Sequence, residues 1–381
     1  MSLIVKRIAS YFCLVLTISC SSTIIQEGNV IYVDKDNIKN ISFSDWFSGV
    51  ELIPLETNQS SLLNKCHKML YEHNRFYIFD INQRAVLAFD SAGIFLFSSL
   101  PFMGQGPGEY VSITDFCINP FTGNLEILDP FSKVIRIYDK DGDFIKNTNL
   151  TEALLPMREF IPLSSDLYLF ESSDYKKRKS YIKVFSISKK EILKEILSSP
   201  ENTKDLVTTN LVIFSRLENK VLYSYEVPDN NVFHIDTTVT VVDHYQYDFG
   251  KYTLNLKFLP GNEDQSFYRK YYEMNIDKYV FPCNKPENIR YRFCFFLFKN
   301  NMFISRQKKE SLSVEVALNK FNDGGILIPP IYVDENYFYF AIEPIGLDYF
   351  LPKEMLTTEQ QELVSGIKED DNPIIVKYKL K

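Results

Sequence analysis

Apolar residues recur along this chain in short bursts, most of them alternating or continuous over a few positions and bounded by Gly, Asp, Asn or Pro. Bursts of that length, rich in Phe, Tyr, Ile and Val, predict strands rather than helices. The clearest unit runs from Gly104 to Lys146. It opens on Gly-Gln-Gly-Pro-Gly-Glu-Tyr and continues through Ile113–Ile118, a Gly123-Asn124 turn and Leu125–Asp129. A polar corner, Pro130–Lys133, then leads to Val134–Asp139, the turn Lys140-Asp141-Gly142, and Asp143–Lys146. Four strands in about 40 residues is the size of one propeller blade.

The preceding segment repeats this unit. Asp80 matches Asp129, Arg84 matches Lys133, Phe89-Asp90 matches Tyr138-Asp139, Gly93 matches Gly142 and Phe95 matches Phe144, at a constant offset of 49 residues. Each Asp-x-x-Gly is a turn device: the carboxylate accepts backbone hydrogen bonds and the glycine takes a positive φ. Later units are looser. Arg158–Pro162, Leu167–Glu171, Tyr181–Ser186 and Glu191–Ile196 form a third, with a charged insertion at Asp174–Lys179. Asn210–Ser215, Val221–Tyr225, Asn231–Ile235 and Val239–Tyr245 form a fourth. The fifth uses Arg290–Phe298, Asn301–Arg306 and Ser313–Leu318, and the sixth Ile328–Val333, Tyr337–Ile342 and Pro373–Leu380. Two stretches break the pattern, Glu263–Asn275 and Pro352–Lys368, and predict short helical insertions.

The sixth unit ends one strand short, while Val50–Leu55 stands alone ahead of the first. Pro54 lacks an N–H donor, which places that strand at a sheet edge. If it completes the last unit, the ring shuts and no long edge stays open. The fold expected is therefore all-β: a six-bladed propeller of four-stranded antiparallel blades over residues 50–381, closed by an N-terminal strand.

Charge and cysteine content narrow the function. The formal charge is −7, and about −9 without the first residues, which argues against a nucleic-acid partner. The six cysteines show no C-x-x-C spacing, so neither a zinc knuckle nor a thioredoxin-type site is expected. Cys66, Cys117 and Cys294 lie in apolar strand-like runs and read as buried thiols.

Residues 1–19 have the layout of a secretory signal peptide: Lys6 and Arg7, an apolar run too short to span a bilayer, then Ser19 before Cys20. The small residue followed by Cys is similar to the lipobox of bacterial lipoproteins, which would make Cys20 the acylated first residue of the mature chain. Thr17 departs from the Leu usual in that motif. Residues 20–49 read as a tether and N-terminal segment. Gly104–Tyr110 and Asp139–Gly142 resemble an NHL repeat. With Ile53-Pro-Leu-Glu56 and Asp370-Asp-Asn-Pro373, the whole chain resembles a family of bacterial six-bladed propeller lipoproteins. That resemblance implies a fold and a place in the cell envelope, as an outer-membrane lipoprotein held by its lipid, and no reaction.

Few stretches of the chain carry a chemical motif. Gly104-x-Gly-x-Gly108 lacks the Lys-Ser/Thr of a phosphate loop and the spacing of a dinucleotide fingerprint, so it reads as a joint between blades. His67, His73, His234 and His244 have no metal-ligand spacing, no G-x-S-x-G elbow is present, and no cofactor is implied. Asp80, Asp129, Asp139 and Asp141 read as turn caps rather than calcium ligands. The corners and blade joints that ring one face supply the candidate ligand-binding loops: Asp80, Arg84, Gln105, Glu109, Tyr110, Asp129 and Lys133. The expectation is a lipid-anchored binding or scaffold propeller for a protein or carbohydrate ligand. The alternative is a hydrolase or lyase acting on an envelope polysaccharide or peptide, which rests on fold analogy alone.

Overall fold

A computed structural model describes residues 29–174, 179–199, 213–224, 229–254 and 273–381. Six antiparallel sheets follow one another as blades of a ring. Blade one is Cys66–Glu72, Arg75–Asp80, Ala85–Asp90 and Phe95–Ser98. Blade two is Asp115–Ile118, Leu125–Asp129, Val134–Tyr138 and Phe144–Asn149. Blade three is Met157–Pro162, Leu167–Asp174, Lys179–Ser186 and Glu191–Ser198. Blade four is Phe214–Leu217, Lys220–Tyr223, Asn231–Ile235 and Val241–Asp248. Blade five is Phe281–Asn284, Tyr291–Phe298, Asn301–Lys308 and Val314–Leu318. Blade six is Tyr332–Val333, Tyr337–Ile342 and Ile374–Leu380, with Phe47–Pro54 as its outermost strand. In each blade the first strand is innermost, and those of blades six, one, two, three and four touch in turn around the axis.

The middle strands are continuous apolar runs because both their faces are buried. In blade one, Phe76, Ile78, Leu87 and Phe89 pack against Tyr339 and Ile375 of blade six. The alternate positions Tyr77, Phe79, Val86 and Ala88 pack against Phe116, Ile118 and Ile127 of blade two. The same division recurs round the ring, one apolar cluster filling each of the six gaps between blades.

The repeat between blades one and two is carried into register. Phe95 pairs with Phe89 and Phe144 with Tyr138, and Gly93 and Gly142 turn with φ of 86° and 91°. A Cβ on Gly93 would lie 2.2 Å from the Pro54 carbonyl oxygen, so the turn of blade one abuts the closing strand. Arg84 and Lys133 both sit at φ 55° in their corners.

Closure occurs as expected, with Phe47 opposite Leu380 and Pro54 opposite Ile374 at the edge of blade six. The N-terminal segment does more than tether, however. Asn29–Tyr32 is a fifth strand on blade four, running parallel to Val241–Asp248. The chain then crosses blade five, where the Lys39 amide donates to the Val316 carbonyl, and reaches a short helix, Phe43–Trp46. Trp46 is fully buried against Phe293 and Phe321, with the Arg306 guanidinium 4.6 Å from its ring. Blade five has an inner strand, Phe281–Asn284, that its two flanking prolines (Pro282 within, Pro286 beyond) hid in the sequence. Thr358–Ser365 is the helix expected within Pro352–Lys368. Most of Glu263–Asn275, residues 1–28 with Cys20, and part of the insertion after Asp174 lie outside the described residues.

Candidate functional site

The six inner strands enclose an axial cavity of about 310 Å³, at the lower end of the roughly 300–1,000 Å³ typical of small-ligand sites. Every blade contributes to it. Its apolar wall includes Met69, Ile118, Phe160, Phe214, Ile331 and Tyr332. Glu72, Pro120 and Glu218 line it at the turns between first and second strands, so it reaches the face opposite the corners that hold Arg84 and Lys133.

The ionisable groups along the axis fall into three sets. In the first, the buried Lys68 of blade one donates to Asp115 of blade two at 2.6 Å. The second oxygen of Asp115 accepts the Phe160 amide of blade three at 2.9 Å. One residue earlier, Glu159 accepts the Ile213 amide of blade four at 3.1 Å. Charged groups thus stitch four successive inner strands together. Burial and the neighbouring Asp115 push the Glu159 carboxyl up to about 8, against the pull of Lys68. Burial acts against the Lys68 ammonium too, but the charges of Asp115 and Glu159 outweigh it and hold the ammonium above its usual range.

The second set centres on Glu287, whose side chain is wholly buried between blades four and five. One oxygen is 3.0 Å from His234 Nε2 and accepts from the Tyr245 hydroxyl at 2.7 Å. The other meets Lys309 Nζ at 2.5 Å and Arg292 Nε at 3.4 Å. Arg292 also reaches Asp243 at 3.1 Å and lies 4.3 Å over the Tyr245 ring. Burial alone would raise the Glu287 carboxyl, but contact with His234 and Lys309 holds it at about 2.

The third set is Lys285, on the cavity wall and itself buried. Its ammonium donates to the Asp229 main-chain carbonyl at 2.8 Å and forms no ion pair among the described residues. Burial lowers this lysine from its ordinary range, with Cys294 and the Asp229 carboxyl acting the other way.

The seven residues singled out in the sequence lie together on the corner face, none of them lining the axial cavity. Asp80 is fully buried and accepts the amides of Asn64, Asn82 and Gln83, tying the corner to the strand entry. Asp129 does the same with Val111 and Ser132, and takes Arg136 at 3.3 Å. The Tyr110 hydroxyl donates to the Arg84 carbonyl at 2.9 Å, and Glu109 accepts the Gly106 amide at 2.7 Å. Lys133 pairs with Glu152. Arg84 and Gln105 are exposed. The glycine loop is a joint: Gly108, at φ 79°, lies under the Phe144 ring, and its carbonyl accepts from Tyr138. The histidines are dispersed. His234 serves Glu287, His244 stacks on Phe233 at 4.4 Å, His73 occupies a turn at φ 52°, and His67 stands edge-on to Phe79. Among the described residues, no group of three His, Cys, Asp or Glu side chains could hold a metal ion, and Cys66, Cys117, Cys283 and Cys294 are free thiols. No described helix is long and apolar enough to cross a membrane.

Solved structures share this fold. A putative exported protein from Bacteroides fragilis superposes with a TM-score of 0.72 at 16% identity, covering 93% of this chain and 100% of its own. A member of the DUF4221 family from Bacteroides vulgatus superposes with a TM-score of 0.55 at 10% identity, covering 91% and 99% respectively. No curated protein matches the chain. The family model described as "Domain of unknown function (DUF4934)" matches residues 28–379, which is nearly the whole described ring, and the chain belongs to that family.

Proposed function

We propose that this chain is a binding propeller of the cell envelope whose axial cavity takes a small ligand or the end of a larger one. The observation that carries this reading is the cavity itself, walled by all six blades, apolar for much of its length, and holding ionisable groups at fixed positions. Envelope placement draws support from the signal-like first 19 residues with Cys20 behind them, and from the likeness to a putative exported protein. A lipid on Cys20 would hold the ring at a membrane surface.

A second reading is favoured by the corner face, where Phe131 is 74% and Ile345 82% exposed. Large exposed apolar side chains suit a protein or carbohydrate partner docked over that face, alongside Arg84 and Gln105.

The test separates the two. Ser215 lines the cavity yet is exposed within it, so Ser215→Trp should fill the space with little cost to the fold. In a calorimetric screen of small organic acids, amides and sugars, ligands that bind the native protein with Kd below about 1 mM (roughly −4 kcal/mol) should lose at least tenfold in affinity for Ser215→Trp. Equal affinity for both proteins would rule out the axial cavity as the site.

A further inference from the structure

An ammonium buried with no carboxylate in direct contact is costly, because removing the ion from water is not repaid by a single neutral acceptor. Lys285 is in that position. The residue is 8% exposed, and among the described residues its ammonium has one hydrogen bond, to a main-chain carbonyl. The Asp229 carboxyl, whose charge acts on it, forms no ion pair with it; one Asp229 oxygen is occupied by Asn231 and the other has no hydrogen-bond partner among the described residues. The other buried ions of the cavity wall are compensated: Lys68 by Asp115, and Glu287 by His234, Arg292 and Lys309. Arg216, also on the wall, donates to the Pro162 carbonyl and forms no ion pair among the described residues.

Lys285 and Arg216 thus face one cavity with no carboxylate of the described residues in ion-pair contact with either, although Glu72 and Glu218 stand at its turn end, and we infer that the cavity recognises an organic carboxylate on an apolar body, with Lys285 as its counter-ion. The inference rests on the cavity being the binding site and names the ligand chemistry. Ile118, Phe214, Ile331 and Val333 would cover the apolar part, while the carboxylate replaces the water that Lys285 gave up on folding. A charge-assisted hydrogen bond in a low-dielectric site is the strong kind, so a neutral isostere should bind much more weakly. A free acid and the C-terminus of a peptide present the same group.

The experiment uses the mature protein, phenylacetate and its neutral isostere phenylacetamide, titrated by calorimetry at low salt. Phenylacetate should bind the native protein at least tenfold more tightly than phenylacetamide. In Lys285→Met that ratio should fall towards one, with phenylacetamide affinity kept, which also shows that the variant's cavity is folded. Equal binding of the two probes to the native protein would overturn the carboxylate inference and leave the cavity reading standing. A ratio that persists in Lys285→Met, and likewise in Lys285→Gln, would overturn the role of Lys285. Binding of neither probe to the native protein would overturn the inference together with the reading beneath it. Acetyl-Gly-Phe with a free or an amidated C-terminus, run alongside, identifies the source: a chain end if only the free form binds, a small acid if neither peptide does while phenylacetate binds.

Discussion

A chain beginning at Glu56 is expected not to fold, whereas one beginning at Ser21 folds to a monomer. Truncation at Glu56 removes Phe47–Pro54, whose residues pair with Leu380 back to Ile374 along the last strand of blade six. It also removes Trp46 and Phe47, which are 0% and 1% exposed. Truncating a single buried Trp or Phe to Ala costs roughly 3–5 kcal/mol, and a domain's whole net stability is about 5–15 kcal/mol. Losing both exhausts most of that margin before any strand pairing is counted. The truncation further bares Ile374–Leu380, an apolar strand that would then form an open edge prone to pair with other chains. Size-exclusion chromatography and circular dichroism of the two purified chains check this. A monodisperse Glu56 chain melting at the same temperature as the longer one would contradict the closure.

The second large effect is expected at Glu287. Gln at this position keeps the shape but leaves His234, Lys309 and Arg292 around a neutral amide. Breaking a buried charge network by removing one partner costs about 3–5 kcal/mol. Linkage gives a figure at the lower end. A carboxyl at about 2 in the fold, against 4.5 for the free group, contributes about 3 kcal/mol at neutral pH. The sign follows from the lowered folded value. The contribution is complete above the unfolded value and is lost as pH falls towards 2. Urea unfolding at pH 7 should therefore show Glu287→Gln less stable by about 3 kcal/mol, and the gap should narrow steadily below pH 4.5. A gap that stays constant from pH 7 to pH 3 would mean that the charge of Glu287 is not what holds blades four and five together there.

The fold was legible in the sequence where local chemistry repeats. Asp90 accepts the amides of Ala92 and Ile94, and Asp139 those of Asp141 and Asp143. Asp-x-x-Gly was therefore a true sign of the turn between third and fourth strands. Blade four shows why the sign fades. Asp236 makes the same bonds to Thr238 and Thr240, but Val239, at φ 65°, stands where the glycine was. Closure was legible too, because an unpaired strand with an internal proline had one place to go. The strand Asn29–Tyr32 was missed because a short parallel addition to an outer edge leaves no alternating face to read. The inner strand of blade five, Phe281–Asn284, was missed as well. It is four residues long, with Pro282 within it and Pro286 just beyond, and it faces a cavity rather than a neighbouring sheet.

The candidate site was not legible for the same reason. Lys68, Arg216 and Lys285 come from three blades, at positions with no shared spacing, and they meet only because the ring brings six inner strands to one axis. Corner residues such as Asp80 and Asp129 stood out instead, since they recur with the repeat. In the fold they hold the strand entries to the corners. Recurrence marks what every blade needs, whereas a binding site in a ring needs each blade to differ.

The most direct test is a crystal structure of the mature protein with whichever carboxylate binds it most tightly. The ligand is expected between the inner strands, its carboxylate within hydrogen-bond distance of Lys285 Nζ and its apolar part against Phe214 and Ile331. A ligand seated over Arg84 and Lys133 on the corner face, with the axis unoccupied, would contradict it.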